Sequence, residues 1–490
     1  MPFRDTLKRQ SKMATLKSFI KKTLYVIGAN LISLVVSFLT TLIVPKFFGD
    51  NVEQYGYLQI YLFYVSYIGF FHFGWCDGIF LRDGGKHYRD LDKPLYSGQF
   101  RLLCAVQAVL AALIALGGYF FTSDLDNRFI VFAIAINLVV YMPRTMLAYY
   151  LQTTNRMKEY ASITTAGRSV YGVAIVLIVL FLPKSYRYFV LGDIIGKTIA
   201  LFVSVWWCRD ILKTKPTPLK QSFGEAKTNI SVGIKLLFAN IAGMLVTGIV
   251  QWGIQTKWDV TTYGKVSFSL SASNLMLVFI SAVALVLYPT LRRTNEENLG
   301  GIYDVLKNGL MTVLLASMVI FYPLELVLSM WLPQYAESMK YLAILFPMCI
   351  YAAKNSLLVT TYLNVYRMEK TTLAVNFAGV IVAAITTGIS VFWLGNLTLA
   401  MFGIVINQMF RCVFGELILA KKIKIKVLKD IILEAAMAAA FIAFSWYIGS
   451  WLGTGLYFAA YIGYFVIKYK DIKESFAYIK KLKGENNGKA

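Results

Sequence analysis

Histidine occurs only 2 times and cysteine only 5 times in 490 residues. The cysteines, Cys76, Cys104, Cys208, Cys349 and Cys412, stand apart in apolar stretches, and no pair has metal-ligand or redox spacing. No H-E-x-x-H stretch occurs, which excludes that zinc chemistry. No G-x-x-x-x-G-K-[ST] stretch occurs either, so any energy for work comes from a gradient or a downhill release rather than from a P-loop. The sequence implies no metal, no cofactor and no enzyme. Acid is scarce as well: 26 Asp+Glu face 49 Lys+Arg, a net charge of +23. Asp124 and Asp126 lie in a short loop with no supporting domain, and Asp90 and Asp92 sit beside Arg89 and Lys93.

What is abundant is hydrocarbon. The chain is 58% hydrophobic with a mean hydropathy of +0.60. The apolar residues come in about fourteen runs near 20 residues, the length that crosses about 30 Å of lipid as an α-helix. Lipid offers no partner to open backbone groups, so a helical bundle is the expected form. The first run follows a long basic leader and continues without a small-residue cleavage site, so it reads as a span rather than a signal peptide. Basic residues gather in every second connection, in the leader from Arg4 to Lys22, in Arg209–Lys227 and around Lys421–Lys429. Roughly 35 fall on one side and roughly 5 on the other, a positive-inside bias that puts both termini in the cytoplasm. The charge is thus topology and contact with anionic membrane lipids, not nucleic-acid binding.

The sequence repeats itself. Tyr141-x-x-Arg144 returns as Tyr351-x-x-Lys354, and 354 − 144 = 210. Ala29-Asn30 returns as Ala239-Asn240, also 210 on, and Arg156-Met157 as Arg367-Met368, 211 on. The expected layout is a basic arm over 1–23, a first six-helix lobe over 24–208 and a linker over 209–229. A second six-helix lobe over 230–419, two further helices over 420–468 and a basic tail over 469–490 complete it. An even number of helices per unit makes the repeats parallel. The fold class is an all-α polytopic membrane protein with two lobes plus two C-terminal helices.

Charge inside such helices is costly and marks cavities or partners. Arg144 and Lys354 have no acid three or four residues away. They read as cations of a substrate cavity, with snorkelling to the headgroups as the competing reading. The first run carries Asn30, Ser33, Ser37 and Thr41 on one face, and the seventh repeats it as Asn240, Gly243, Thr247 and Gln251. That stripe serves either sugar-like hydroxyls or helix packing. Asp193 and Lys197, four apart, read as an ion pair or as an ion-coupling group. Arg168 and Lys235, placed in first helical turns, read as interfacial anchors. His72 and Asp77 are five apart, a spacing at which an unbroken helix keeps them separate.

The stretch from Lys21 to Gln59, with its basic arm, striped first helix, Pro45 and Tyr55-Gly56, resembles the start of bacterial polysaccharide repeat-unit flippases. Tyr263-Gly264 echoes it in the second half. Those O-antigen and capsule flippases are part of the multidrug/oligosaccharidyl-lipid/polysaccharide exporter superfamily. The resemblance implies V-shaped lobes, alternating access and a polyprenyl-pyrophosphate-linked oligosaccharide moved to the outer leaflet of the cell membrane. It implies a polysaccharide polymerase and a chain-length regulator as partners. It also implies a cavity of cations, carried here to Arg144 and Lys354. A lipid II or teichoic-acid precursor flippase and a multidrug exporter are the alternatives within that architecture. A membrane glycan polymerase or ligase is the alternative from another class.

Overall fold

A computed structural model describes residues 28–292 and 296–487. The basic arm over 1–23 lies outside the described residues, as does the end of the tail. Among the described residues every regular element is helical. In order they are α1 Gly28–Phe48, α2 Val52–Ile68, α3 Trp75–Asp83, α4 Lys93–Phe121, α5 Leu125–Thr153, α6 Met157–Phe181 and α7 Tyr186–Trp207. The next are α8 Leu219–Lys257, α9 Val260–Arg292, α10 Glu296–Ser317, α11 Phe321–Trp331, α12 Pro333–Val365, α13 Glu369–Trp393, α14 Leu397–Ile423, α15 Leu428–Ile448 and α16 Trp451–Asn487.

Among the described residues, 11 helices are long and apolar enough to cross a membrane. The chain is a multi-pass membrane protein. Its surface carries exposed Phe120, Phe121, Leu180, Phe181, Trp393 and Tyr447, a coat that suits acyl chains and not water. The run over 54–81 is missing from the 11 because it is broken. α2 ends in a 3₁₀ turn at Gly69–His72, and Phe73 and Gly74 then take left-handed conformations (φ 52° and 83°) before α3 starts. The break brings His72 Nε2 to 3.9 Å from Asp77 Oδ2. An unbroken helix would have kept this pair apart, as the sequence reading assumed.

The chain divides into two compact units, Met1–Ile241 and Ala242–Ala490. The expected linker over 209–229 is largely helix. A single turn at Arg209–Leu212 leads to Leu219, where the 39 residues of α8 begin. The first part of α8 is a structural member of the first unit. A Cβ on Gly78 would lie 1.9 Å from the Asn229 carbonyl oxygen, and one on Gly233 would lie 2.0 Å from that of Gly74. Small residues there let α3 and α8 cross at backbone distance. Arg82 fastens the crossing to Glu225 (2.5 Å) and Asn229 (2.6 Å). Asp210 accepts hydrogen bonds from Lys93 and Tyr88 in the same region. Burial raises its carboxyl, but these two donors outweigh burial and hold it below the usual carboxylate range.

The duplication is visible in backbone geometry. Asn155 (φ 60°) and Arg367 (φ 52°) are left-handed residues closing α5 and α12, and 367 − 155 = 212. Arg156 N–H donates to the Leu151 carbonyl at 2.8 Å, and Met368 N–H donates to that of Leu363 at 2.8 Å, again 212 on. Beneath each turn a buried tyrosine meets another edge-on: Tyr150 on Tyr96 (4.7 Å between centroids) and Tyr362 on Tyr303 (5.0 Å). These pairs anchor the two cores, each hydroxyl donating to a backbone carbonyl so that burial leaves it satisfied.

Candidate functional site

Each unit encloses a polar cavity of its own. In the first unit α2, α5, α6 and α7 surround about 420 Å³. Three cations line it, Arg144, Arg168 and Lys197, with one acid, Asp193, so the lining carries 3 − 1 = +2. The acid is committed. Asp193 Oδ2 accepts from Lys197 at 2.5 Å and from the Tyr61 hydroxyl at 2.6 Å, while Asn137 bridges Tyr61 (2.7 Å) and Lys197 (2.9 Å). This closed network leaves the two arginines uncompensated, for neither forms an ion pair among the described residues. Among the described residues the Arg144 Nε–H is buried without an acceptor, and its Nη2 reaches only Thr164 Oγ1, at 3.4 Å. Its guanidinium also lies 5.4 Å from the centre of the Tyr141 ring.

Arg168 owes its position to glycine. A Cβ on Gly196 would lie 2.7 Å from the Gly167 carbonyl oxygen, so α6 and α7 touch backbone to backbone just where Arg168 and Lys197 follow. The sequence reading put Arg168 in a first helical turn as an interfacial anchor. The helix in fact begins at Met157, 11 residues earlier, which sets Arg168 near its middle and on the cavity wall. Lys235 is exposed on α8 and lines neither cavity.

The second unit encloses about 380 Å³ between α8, α9, α12 and α14. Arg411 is its one charged lining residue among the described residues. Gln251, Asn274, Asn355 and Gln408 bring amides, and Thr247, Ser356 and Thr360 bring hydroxyls. Arg411 is held by its Nε–H on Asn376 Oδ1 (2.8 Å) and by Nη1 on the Gly243 carbonyl (3.4 Å).

Thr247 and Gln251 thus line a cavity, whereas Asn30 and Asn240 are exposed and line neither. A π-helical turn at Leu39–Ile43 rotates the end of α1, so Thr41 is buried while Asn30 is not, and the sequence stripe does not share one environment. Lys354 requires a correction. It is fully buried and bonded to Glu416 at 2.5 Å and Glu434 at 2.7 Å, away from the cavity lining. Tyr303 completes that group by donating to Glu416 at 3.0 Å.

The reason is the face of α12 on which Lys354 stands. Tyr351 and Lys354 sit 210 residues after Tyr141 and Arg144, but the helices end at Thr153 and Val365, 212 apart. A π-helical turn at Asn355–Thr360 lies between those landmarks. Lys354 follows the cavity-lining Ala352 by two residues, about 200° around the helix, and so faces away from the cavity. The cavity face of α12 is formed by Met348, Ala352, Asn355, Ser356 and Thr360. The cation of the second unit comes from α14 instead. Lys197 aligns with Gln408, 211 on, and Arg411 follows one turn later. Sequence reasoning missed Arg411, Glu416 and Glu434. Their signal was legible as charges within the apolar run over 397–419 and within that over 430–449.

No family model matches the chain, and no curated protein matches it. Solved structures do. An inward-closed lipid II flippase MurJ superposes with a TM-score of 0.65 at 12% identity, covering 92% of this chain and 99% of that one. An inward-facing multidrug resistance MATE family transporter of the MOP superfamily gives 0.61 at 11%, covering 82% and 98%. A MATE in complex with MaD3S gives 0.56 at 11%, covering 82% and 96%. The fold is that of the MurJ and MATE transporters. Those neighbours are transporters and flippases, and at such identities the likeness extends to the fold alone.

Proposed function

We propose that the protein flips a short oligosaccharide carried on a polyprenyl pyrophosphate across the bacterial plasma membrane, for surface polysaccharide assembly. The observation that carries this reading is the doubly cationic cavity of the first unit. A diphosphate joined to a lipid and a sugar keeps one negative charge per phosphate, and two unpaired guanidinium forks match it in charge and geometry. Arg144, whose buried Nε–H lacks an acceptor, and Arg168 are the proposed ligands, with Thr247 and Gln251 toward sugar in the second unit. Asn30 and Asn240 stand exposed for contacts outside both cavities. Asp193 and Lys197 serve as the internal pair that fixes the cavity wall. The flexible polyprenyl tail stays in lipid, and the termini are cytoplasmic. Alternating access of the two units delivers the cargo to a polymerase and chain-length regulator on the far side. Lipid II is the second reading, favoured by the MurJ-like fold, and it shares the pyrophosphate.

The experiment reconstitutes the full chain in vesicles and follows outward appearance of a labelled undecaprenyl-pyrophosphate oligosaccharide, with lipid II as the parallel cargo. Arg144→Ala and Arg168→Ala should each slow the flip at least ten-fold while the protein stays folded. Wild-type rates from both variants would remove the cavity from the mechanism, and faster movement of lipid II would select the second reading.

A further inference from the structure

The cavity of the second unit is built for something other than a pyrophosphate. Among the described residues its lining carries 1 cation and no acid, against 3 cations and 1 acid in the first unit. Gln408 adds an independent sign of a ligand. It is only 8% exposed, it lines the cavity, and its Oε1 has no hydrogen-bond donor among the described residues. A buried amide oxygen left unpaired carries a desolvation penalty, which a ligand hydroxyl would remove. Beside it Arg411 is fixed at Nε by Asn376, so the guanidinium is oriented before any ligand arrives. Asn355, Ser356 and Thr360 come from the π-helical turn of α12 and bring further neutral donors and acceptors.

We propose that this cavity binds an acidic sugar, a residue bearing one carboxylate among hydroxyls, as part of the oligosaccharide cargo. A carboxylate matches a single guanidinium in charge and takes its fork in two parallel hydrogen bonds. The ring hydroxyls, each both donor and acceptor, match the amides, including the unpaired oxygen of Gln408. A diphosphate would leave a second negative charge facing only neutral groups. The volume of about 380 Å³ lies within the range of small-molecule sites. The inference rests on the flippase reading, and it makes Arg411 the residue that selects cargo by charge.

The test uses the full-length protein in lipid nanodiscs, with binding measured by calorimetry and ligand-observed NMR. The probes are methyl glucuronide, the neutral methyl glucoside and inorganic pyrophosphate. Methyl glucuronide should bind at least ten-fold tighter than methyl glucoside. Arg411→Gln should erase that preference, Arg411→Lys should keep part of it, and Gln408→Leu should weaken both sugars. Pyrophosphate binding should be unchanged by Arg411→Gln and lost in Arg144→Ala. Equal binding of the two sugars to the native protein would overturn the proposal, as would a preference that survives Arg411→Gln. Pyrophosphate binding that depends on Arg411 would also overturn it by making the cavity a phosphate site. Pyrophosphate binding indifferent to Arg144 would instead sink the flippase reading and leave the sugar result standing.

Discussion

Arg144 and Lys354 are the same feature in the two halves of the sequence and opposite features in the fold. Arg144 borders a cavity and keeps a buried Nε–H without an acceptor, whereas Lys354 is sealed between Glu416 and Glu434. One cation is left available for a ligand and the other is consumed by structure. The difference teaches how a duplicated scaffold diverges. On α12 the cavity face runs through Ala352 and Asn355 rather than Lys354, a π-helical turn follows at Asn355–Thr360, and a cation on the neighbouring helix, Arg411, lines the cavity instead. A buried ion cluster and a cationic cavity use the same residue types, and only the partners tell them apart.

The largest effect that could break this contrast comes from Lys354→Ala. Removing the ammonium strands two carboxylates in a dry interior, and breaking a buried pair costs about 3–5 kcal/mol. Thermal unfolding in detergent should show a large loss, or the variant should fail to accumulate in membranes. A stable Lys354→Ala protein that had lost only cargo binding would return Lys354 to the ligand role. Arg144→Ala, by contrast, should unfold at nearly the native temperature.

An intermediate effect sharpens the same point within the first cavity. Asp193→Asn removes the acid that neutralises Lys197 and takes the lining from +2 to +3. Pyrophosphate should then bind several-fold tighter, less so at high salt because mobile ions screen the added charge. Binding that stays unchanged would show that Lys197 does not face the ligand.

The smallest effect lies outside the membrane. Asp210 is held ionised by Lys93 and Tyr88 below the usual carboxylate range, so its contribution is present at neutral pH and lost as pH falls through the lowered folded-state value. Asp210→Asn should cost well under about 1 kcal/mol at pH 7, since the pair is partly solvent-screened. The gap to the native protein should close in acid. A gap constant with pH would mean that the side chain acts through its shape.

Helix content, membrane character and the twofold repeat were legible in the residues. Runs of about 20 apolar side chains leave a backbone in lipid one regular option. Offsets of 210 and 211 carry the duplication in the residues themselves. The cavity was legible in part, since Arg144, Thr247, Gln251, Asp193 and Lys197 lie where polar groups in apolar runs should lie. Arg168 was less legible, because the polar first turns of α6 from Met157 hide the true start of that helix. The break at Phe73–Gly74 was hidden because Phe carries no local warning of a left-handed backbone.

The sequence by itself determined that this chain spans a membrane as two related helical units with cations inside. It could do so because hydropathy and repetition are properties of neighbouring residues along one strand of text. The tertiary structure alone decided which cations are free. Lys354 meets Glu416 and Glu434 across 62 and 80 residues, and pairing at such separation depends on how helix faces turn, at about 100° per residue.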